Sequence, residues 1–177
     1  MNVVISPVSN DFLRDWPIEN YGNLVDLLVQ RTEAKIYLVG SPGQRACINE
    51  IVRCFDPSRV LNMAGRTSWT ETQAFLKTAN VVVANNSGLA HLSAKFLTPV
   101  VCLFCTSHDP FEWMPRGPHV TVLYSQPPCA PCCHHGYGGC PVGKRCLRSI
   151  TPEIVLTETL ALAATPRPLS VSSDARG

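Results

Sequence analysis

The sequence predicts a doubly wound α/β domain, and three observations carry that prediction. Short apolar runs alternate with segments of helical periodicity, the runs are apolar throughout instead of alternating with polar residues, and several end in small polar or glycine-bearing loops. Strands of that kind are buried on both faces, so they belong in a parallel sheet covered by helices on each side.

The first strand is Val3-Val4-Ile5, followed by a Ser/Pro/Asn/Asp loop and Trp16-Pro17. Proline suits a first helical turn, and Ile18, Tyr21, Leu24, Val25 and Leu28 recur at helical spacing, which predicts a helix over 17–30. Ile36-Tyr37-Leu38-Val39 makes a second strand that ends in Gly40-Ser41-Pro42-Gly43, and Cys47, Ile51, Cys54 and Phe55 then continue at helical spacing. Val60-Leu61-Asn62-Met63 predicts a third strand. Ser68 with Glu71 three residues later forms a capping-box pattern ahead of a short helix carrying Ala74, Phe75 and Thr78.

Val81-Val82-Val83-Ala84 is a further strand, stopped by Asn85-Asn86-Ser87-Gly88 and followed by Leu89, Leu92, Ala94 and Phe96. Another strand is expected over 99–104, a polar Pro-rich loop over 106–118 and a last strand over 120–124. Thr151-Pro152-Glu153 starts a helix over 152–163. One domain is expected over 1–163, including a cysteine-rich loop at 126–148, and the Ser/Pro/Arg-rich tail at 164–177 is expected to be disordered.

Composition narrows the function. With 177 residues and 45% hydrophobic content, the chain can bury a real core. Fifteen Lys and Arg against thirteen Asp and Glu leave a formal charge of +2, too little for the dense positive face that nucleic-acid backbones require. No run approaches the roughly 20 apolar residues that span a bilayer, and the N-terminus lacks a basic segment followed by an apolar core. The expectation is a soluble, cytoplasmic chain with no nucleic-acid partner and no transmembrane segment.

Nine cysteines are many for this length, and five of them, Cys129, Cys132, Cys133, Cys140 and Cys146, share one short segment. In a reducing compartment metal binding or redox chemistry is favoured over a disulfide framework. Cys129, Cys132, Cys140 and Cys146 are the candidate ligands of a structural zinc or iron, with Cys133, His134 and His135 as spare donors. Reduced or disulfide-linked cysteines are the alternative. Either way the role is structural, holding the Gly/Pro-rich loop against the last helix. Cys47, Cys54, Cys102 and Cys105 lie in apolar patterns and read as small core residues.

In an open parallel sheet, ligands bind beyond the carboxyl ends of the strands, where helix N-termini present N–H groups to anions. Asn85-Asn86-Ser87-Gly88-Leu89-Ala90-His91 is the most informative such loop, because a buried strand opens into a small polar turn and directly into a helix. Ser87 and Gly88 are placed to offer N–H groups and a hydroxyl to a diphosphate; an ordinary N-cap is the bland alternative. His91 lies one turn into that helix. Arg14, in the first loop with Ser9, carries a planar fork suited to phosphate, and Gln44 follows Gly40 where many such folds recognise a ribose. There is no Gly-x-x-x-x-Gly-Lys-Ser/Thr, no Gly-x-Gly-x-x-Gly after the first strand and no Gly-x-Ser-x-Gly, so P-loop, ordinary dinucleotide and nucleophile-elbow chemistries lose support.

Arg14-Asp15-Trp16-Pro17, Leu38-Val39-Gly40-Ser41-Pro42, Ala64-Gly65-Arg66-Thr67-Ser68 and, above all, the stretch 81–91 together resemble the C-terminal half of glycosyltransferase family 9, the ADP-heptose:lipopolysaccharide heptosyltransferases. The resemblance covers nearly all of 2–160, including Cys129-Ala130-Pro131-Cys132 and Ile150-Thr151-Pro152-Glu153. It implies a GT-B enzyme of two Rossmann-like domains, of which this chain is the donor-binding one. It further implies a nucleotide-sugar ligand such as ADP-heptose and a lipopolysaccharide-core or other glycan acceptor. The resemblance also implies that no cofactor is required for catalysis and that the enzyme works in the cytoplasm or peripherally at the inner membrane.

The donor contacts implied by the resemblance fall on Ser9, Arg14, Gly40, Gln44, Arg66, Thr67, Asn86, Ser87, Gly88 and His91. Asn86 stands where the family usually has aspartate, Gln44 near a common glutamate, and Arg14 in place of lysine. The acceptor site and catalytic base belong to an N-terminal domain absent from this sequence, so the partner expected is that domain or a separate subunit. The chain alone is then inactive. A non-catalytic nucleotide-sugar-binding or metal-stapled interaction module is the alternative function.

Overall fold

The computed structural model describes residues 1–132 and 139–166. Six parallel strands, β1 (Asn2–Ser6), β2 (Lys35–Leu38), β3 (Val60–Asn62), β4 (Val81–Asn85), β5 (Val100–Phe104) and β6 (Val120–Tyr124), form one sheet in the order β3-β2-β1-β4-β5-β6. The connecting helices are α1 (Ile18–Arg31), α2 (Arg45–Val52), α3 (Trp69–Thr78), α4 (Gly88–Lys95), α5 (Pro110–Trp113), α6 (Arg145–Arg148) and α7 (Pro152–Ala163). This is the doubly wound, Rossmann-like α/β fold that the alternation of apolar runs and helical segments predicts.

The pleat divides the strands' side chains between two cores. Val3, Ile5, Ile36, Leu38, Val83 and Leu103 face α1, α2 and α7, where Tyr21, Leu24, Leu28, Ile48 and Leu156 are buried against them. Val4, Val82, Ala84, Cys102 and Phe104 face the opposite way, onto Leu76 of α3 and Ala90 and Ala94 of α4. Each fully buried aliphatic side chain contributes about 1.5–3 kcal/mol by leaving water, which is why both faces must be covered. The helix starts are chemically marked. Ser68 Oγ accepts from the Glu71 N–H while Glu71 accepts from the Ser68 N–H, completing the capping box, and Thr151 caps α7 ahead of Pro152.

Some expectations need correction. Cys47 and Cys54 are exposed, not core residues, whereas Cys102 and Cys105 are buried as expected. The buried stripe of α2 is Ile48 and Ile51; Cys47 sits one position, about 100° of helix, away from it, and Cys54 lies beyond the helix end. In α3 the buried position is Leu76; Ala74 is exposed. The 106–118 loop contains a helical turn, α5, started by the Asp109 carboxylate, which accepts from the Phe111 N–H at 2.8 Å. Cys133, His134, His135 and the segment 167–177 lie outside the described residues. Among the described residues no helix is long and apolar enough to cross a membrane.

Candidate functional site

The strand order reverses between β1 and β4, so the loops leaving those strands diverge and open a crevice at the carboxyl edge of the sheet. A cleft of about 540 Å³ lies there. Its walls bring together Ser9, Arg14, Gly40, Gln44, Thr67, Ser87 and Gly88 from the four loops after β1, β2, β3 and β4, with Ser6, Ser41, Pro42, Gly65 and Trp69 among the others.

One end of the cleft is built from the loops after β1 and β4. Ser87 is the N-cap of α4, yet its hydroxyl makes no capping bond; Ser87 Oγ is buried and has no hydrogen-bond partner. A Cβ added to Gly88 would meet nothing within 4 Å, so no neighbouring side chain crowds the first residue of α4 on that side. Those first N–H groups have no acceptor inside a helix and carry its positive dipole end.

Across the crevice, Arg14 ends a 3-10 turn (Phe12–Arg14) whose start is capped by the Asp11 carboxylate, accepting from the Leu13 N–H at 3.0 Å. One Arg14 Nη donates to the Asn86 carbonyl at 3.4 Å, tying the two loops together. Arg14 Nε lies 3.7 Å from Asp11 Oδ2, an ion-pair distance, but is buried without a hydrogen bond. Two buried polar atoms lacking partners, a hydroxyl and a guanidinium N–H, therefore belong to residues lining one crevice.

Behind this end stands a buried polar assembly. Asn85 Oδ1 accepts from the Trp16 N–H at 3.0 Å and the Tyr21 hydroxyl at 2.9 Å, while Nδ2 donates to the Pro7 carbonyl at 2.8 Å and Asp15 Oδ1 at 3.2 Å. Asp15 Oδ1 also accepts from the Ser9 N–H at 2.7 Å. Burial pushes the Asp15 carboxyl above the usual aspartate range, against the hydrogen bonds from Ser9 and the charges of Lys144 and Arg14, which pull it down. The Lys144 ammonium donates to the carbonyls of Asp15 at 2.7 Å and Phe12 at 3.2 Å, pinning the Arg14 loop to the cysteine-rich segment.

The other end lies over β2 and β3. Gln44 Oε1 accepts from the Ser41 N–H at 2.9 Å, and Nε2 reaches the carbonyls of Val8 and Ser9 at 3.5 Å, so this side chain is turned onto its own loop and the β1 loop. A Cβ on Gly40 would lie 2.7 Å from Gln44 Oε1, and one on Gly65 2.8 Å from Pro42 Cα. Gly65 also has a φ of +65°, a conformation that disfavours any side chain.

Three sequence-identified donor residues do not line the cleft. Arg66 and His91 are exposed beside it, and Asn86 is buried, its N–H donating to the Leu103 carbonyl at 3.0 Å and its carbonyl facing Arg14. Two residues have roles that the sequence does not reveal. Asn85 looks like one more polar loop residue, and only its place as the last buried position of β4 marks it; Trp69 is a large aromatic directly after an N-cap, where no core face calls for one.

The four cysteines of the proposed metal cluster occupy different settings. Cys129 is exposed, Cys146 is buried, and Cys140 Sγ accepts from the Lys144 N–H at 3.1 Å. Among the described residues no three His, Cys, Asp or Glu side chains are grouped to hold a metal ion. A larger cleft, about 820 Å³, opens at the ends of β5 and β6 between Cys105, Phe111, Trp113, Tyr124 and Pro131, but it contains none of the sequence-identified donor residues.

Residues 1–138 match the family model for glycosyltransferase family 9 (heptosyltransferase). The chain belongs to glycosyltransferase family 9. The match spans all six strands and every donor position named above. Lipopolysaccharide heptosyltransferase 3 of Escherichia coli K12 is 29% identical over 124 residues, covering 70% of this chain and 36% of that protein. Among solved structures, E. coli ADP-heptose lps heptosyltransferase II superposes with a TM-score of 0.76 at 23% identity, over 92% of this chain and 46% of that one. E. coli heptosyltransferase WaaC with ADP gives 0.72 at 20% identity, over 91% and 44%. These heptosyltransferases share the fold, and this family 9 chain spans less than half the length of each.

Proposed function

We propose that this chain is the donor-binding half of a heptosyltransferase-like glycosyltransferase, and that its crevice holds a nucleotide sugar such as ADP-heptose. The observation that carries the reading is the buried, unbonded Ser87 Oγ at the start of α4, facing the same crevice as the unbonded Arg14 Nε. Leaving buried polar atoms without partners costs about 1–3 kcal/mol each, and a diphosphate supplies the missing acceptors. The relatives' names point the same way: one solved structure is described with ADP, and another is named for ADP-heptose.

The chemistry follows from where charge develops. When the sugar leaves its nucleotide, negative charge grows on the departing diphosphate. The Arg14 guanidinium and the N–H groups of Gly88 and Leu89 are fixed in place to meet it, at no cost of reorganisation in the transition state. Lys144 and Asn85 hold the Arg14 loop so that this charge is fixed in position beforehand. The general base for the acceptor hydroxyl, and the glycan acceptor itself, are assigned to an N-terminal domain or separate subunit.

Calorimetric titration with ADP tests the reading. Binding that weakens about tenfold or more in Ser87→Ala and in Arg14→Ala supports it; binding untouched by either substitution contradicts it. Rejoining an acceptor domain and finding sugar transfer lost in the same two variants extends the test to catalysis.

A further inference from the structure

We infer that the second, larger cleft is a saccharide subsite, holding an uncharged sugar unit of the glycan acceptor against Phe111 and Trp113; choosing a glycan as the occupant rests on the reading of this chain as half of a glycosyltransferase. The cleft, about 820 Å³, lies between the loops after β5 and β6. Three aromatic rings line it and stay exposed, Phe111 at 65%, Trp113 at 55% and Tyr124 at 42%. Large apolar groups gathered in one concavity, instead of scattered singly over a surface, mark a place where something binds.

The rings are held in place before any ligand arrives. The Asp109 carboxylate accepts from the Phe111 N–H at 2.8 Å, the Trp113 N–H donates to the Asp109 carbonyl at 3.0 Å, and an Arg116 Nη donates to the Phe111 carbonyl at 2.6 Å, so the turn carrying both rings is tied at each end. The Trp113 indole meets the His108 imidazole edge to face, with centroids 5.6 Å apart. His108 Nδ1 is bonded to Ser107 Oγ at 3.0 Å, and that oxygen lies 2.8 Å from the Sγ of buried Cys105. Across the cleft, the Cys132 N–H donates to the Thr106 carbonyl at 2.9 Å and fixes the opposite wall.

Charge selects the ligand. Among the described residues lining the cleft are two carboxylates, Asp109 and Glu112, and no Lys or Arg, which disfavours phosphates, acidic sugars and anionic lipid surfaces. A neutral pyranose matches what remains: its C–H face packs on an aromatic ring, and its hydroxyls donate to carboxylate and amide oxygens such as those of Glu112 and Gln126. The position suits an acceptor. The loops that open the two clefts leave neighbouring strands, β4 and β5, and the Asn86 N–H extends their ladder by donating to the Leu103 carbonyl at 3.0 Å. A glycan seated in the larger cleft therefore lies beside the Ser87 end of the donor cleft, and its reacting hydroxyl extends to the base supplied by the N-terminal domain.

The experiment is an NMR titration of the chain with methyl glucoside, methyl galactoside and maltotriose, with glucuronic acid, choline and phosphatidylglycerol vesicles as contrasts. At least one neutral sugar is expected to bind in the millimolar range and to shift the indole N–H of Trp113. Trp113→Ala and Phe111→Ala should each weaken that binding at least about fivefold, while Trp113→Phe keeps most of it. Melting temperature and ADP affinity should be unchanged in these variants, which separates this subsite from the donor cleft. No shift at Trp113 with any of the neutral sugars, or sugar binding indifferent to both alanine variants, overturns the subsite and leaves the donor reading standing. Tighter binding of glucuronic acid, choline or the vesicles at Trp113 overturns it as well. Neutral-sugar binding at Trp113 by a chain that does not bind ADP keeps the saccharide site and overturns the donor reading instead.

Discussion

Asn85, at the end of β4, and Tyr21, one turn into α1, are bound side chain to side chain at 2.9 Å inside the core, where neither is accessible to solvent. With its three further bonds, to the Trp16 N–H, the Pro7 carbonyl and Asp15, Asn85 uses one amide to join the loop after β1 to the strand that launches α4. The crevice between Arg14 and Ser87 is thereby set by a residue that lies beneath it.

Asn85→Ala therefore leaves several buried groups unsatisfied, and a loss of about 3 kcal/mol or more is expected in urea denaturation. Tyr21→Phe removes only one bond, since Asn85 Oδ1 still receives the Trp16 N–H, and should cost about 1 kcal/mol. Equal, small effects for the two variants would show that the assembly is not the element fixing the loop.

Asp15 predicts an unusual pH dependence. Its folded-state pKa is raised, chiefly by burial, so the folded state holds this proton more tightly than the unfolded chain. The stability it contributes is fully present below the ordinary aspartate pKa of about 3.9 and is lost as pH rises through the folded value. The stability of wild type relative to Asp15→Asn should accordingly decline as pH is raised from about 4. A relative gain for wild type over that interval would reverse the sign and contradict the assignment.

Gly65→Ala should damage stability and nucleotide binding together. The substitution forces a side chain into a left-handed backbone and into Pro42, with a cost of at least about 1–2 kcal/mol. Thermal melting should show the destabilisation, and ADP affinity should fall because Gly65 and Pro42 both line the cleft. Gly88→Ala, by contrast, meets no protein atom and should leave the melting temperature nearly unchanged.

Lys144→Met tests whether the cysteine-rich segment supports the anion site. Its ammonium holds two carbonyls of the Arg14 loop, so pyrophosphate affinity should weaken, by less than in Arg14→Ala, which removes the charge itself. Affinity equal to wild type would confine Lys144 to a role outside the site.

Much of the fold was legible because burial on both faces leaves a simple trace. Val81-Val82-Val83-Ala84 has no other stable use than a central parallel strand, and Ser68 with Glu71, or Thr151 before Pro152, announce helix starts chemically. Cys47 and Cys54 were misread because periodicity counts a small thiol as apolar without saying where the helix ends. At the site, loop positions after the strands placed Ser9, Arg14, Ser87 and Gly88 in one crevice. Asn86 and His91 lie outside its walls because a turn of helix and the β4–β5 ladder direct them elsewhere, and spacing alone does not reveal that. Asn85 and Trp69 were invisible for opposite reasons: one is polar in a core position, the other apolar on a rim.

Amide-detected NMR titration of the chain with ADP tests the central claim most directly. The account predicts that the largest shifts fall on the backbone N–H groups of Ser87, Gly88 and Leu89 and on the Nε–H of Arg14, which should move as it gains an acceptor. Shifts concentrated instead around His108, Phe111 and Trp113 of the larger cleft, with Ser87 and Arg14 unmoved, would contradict it.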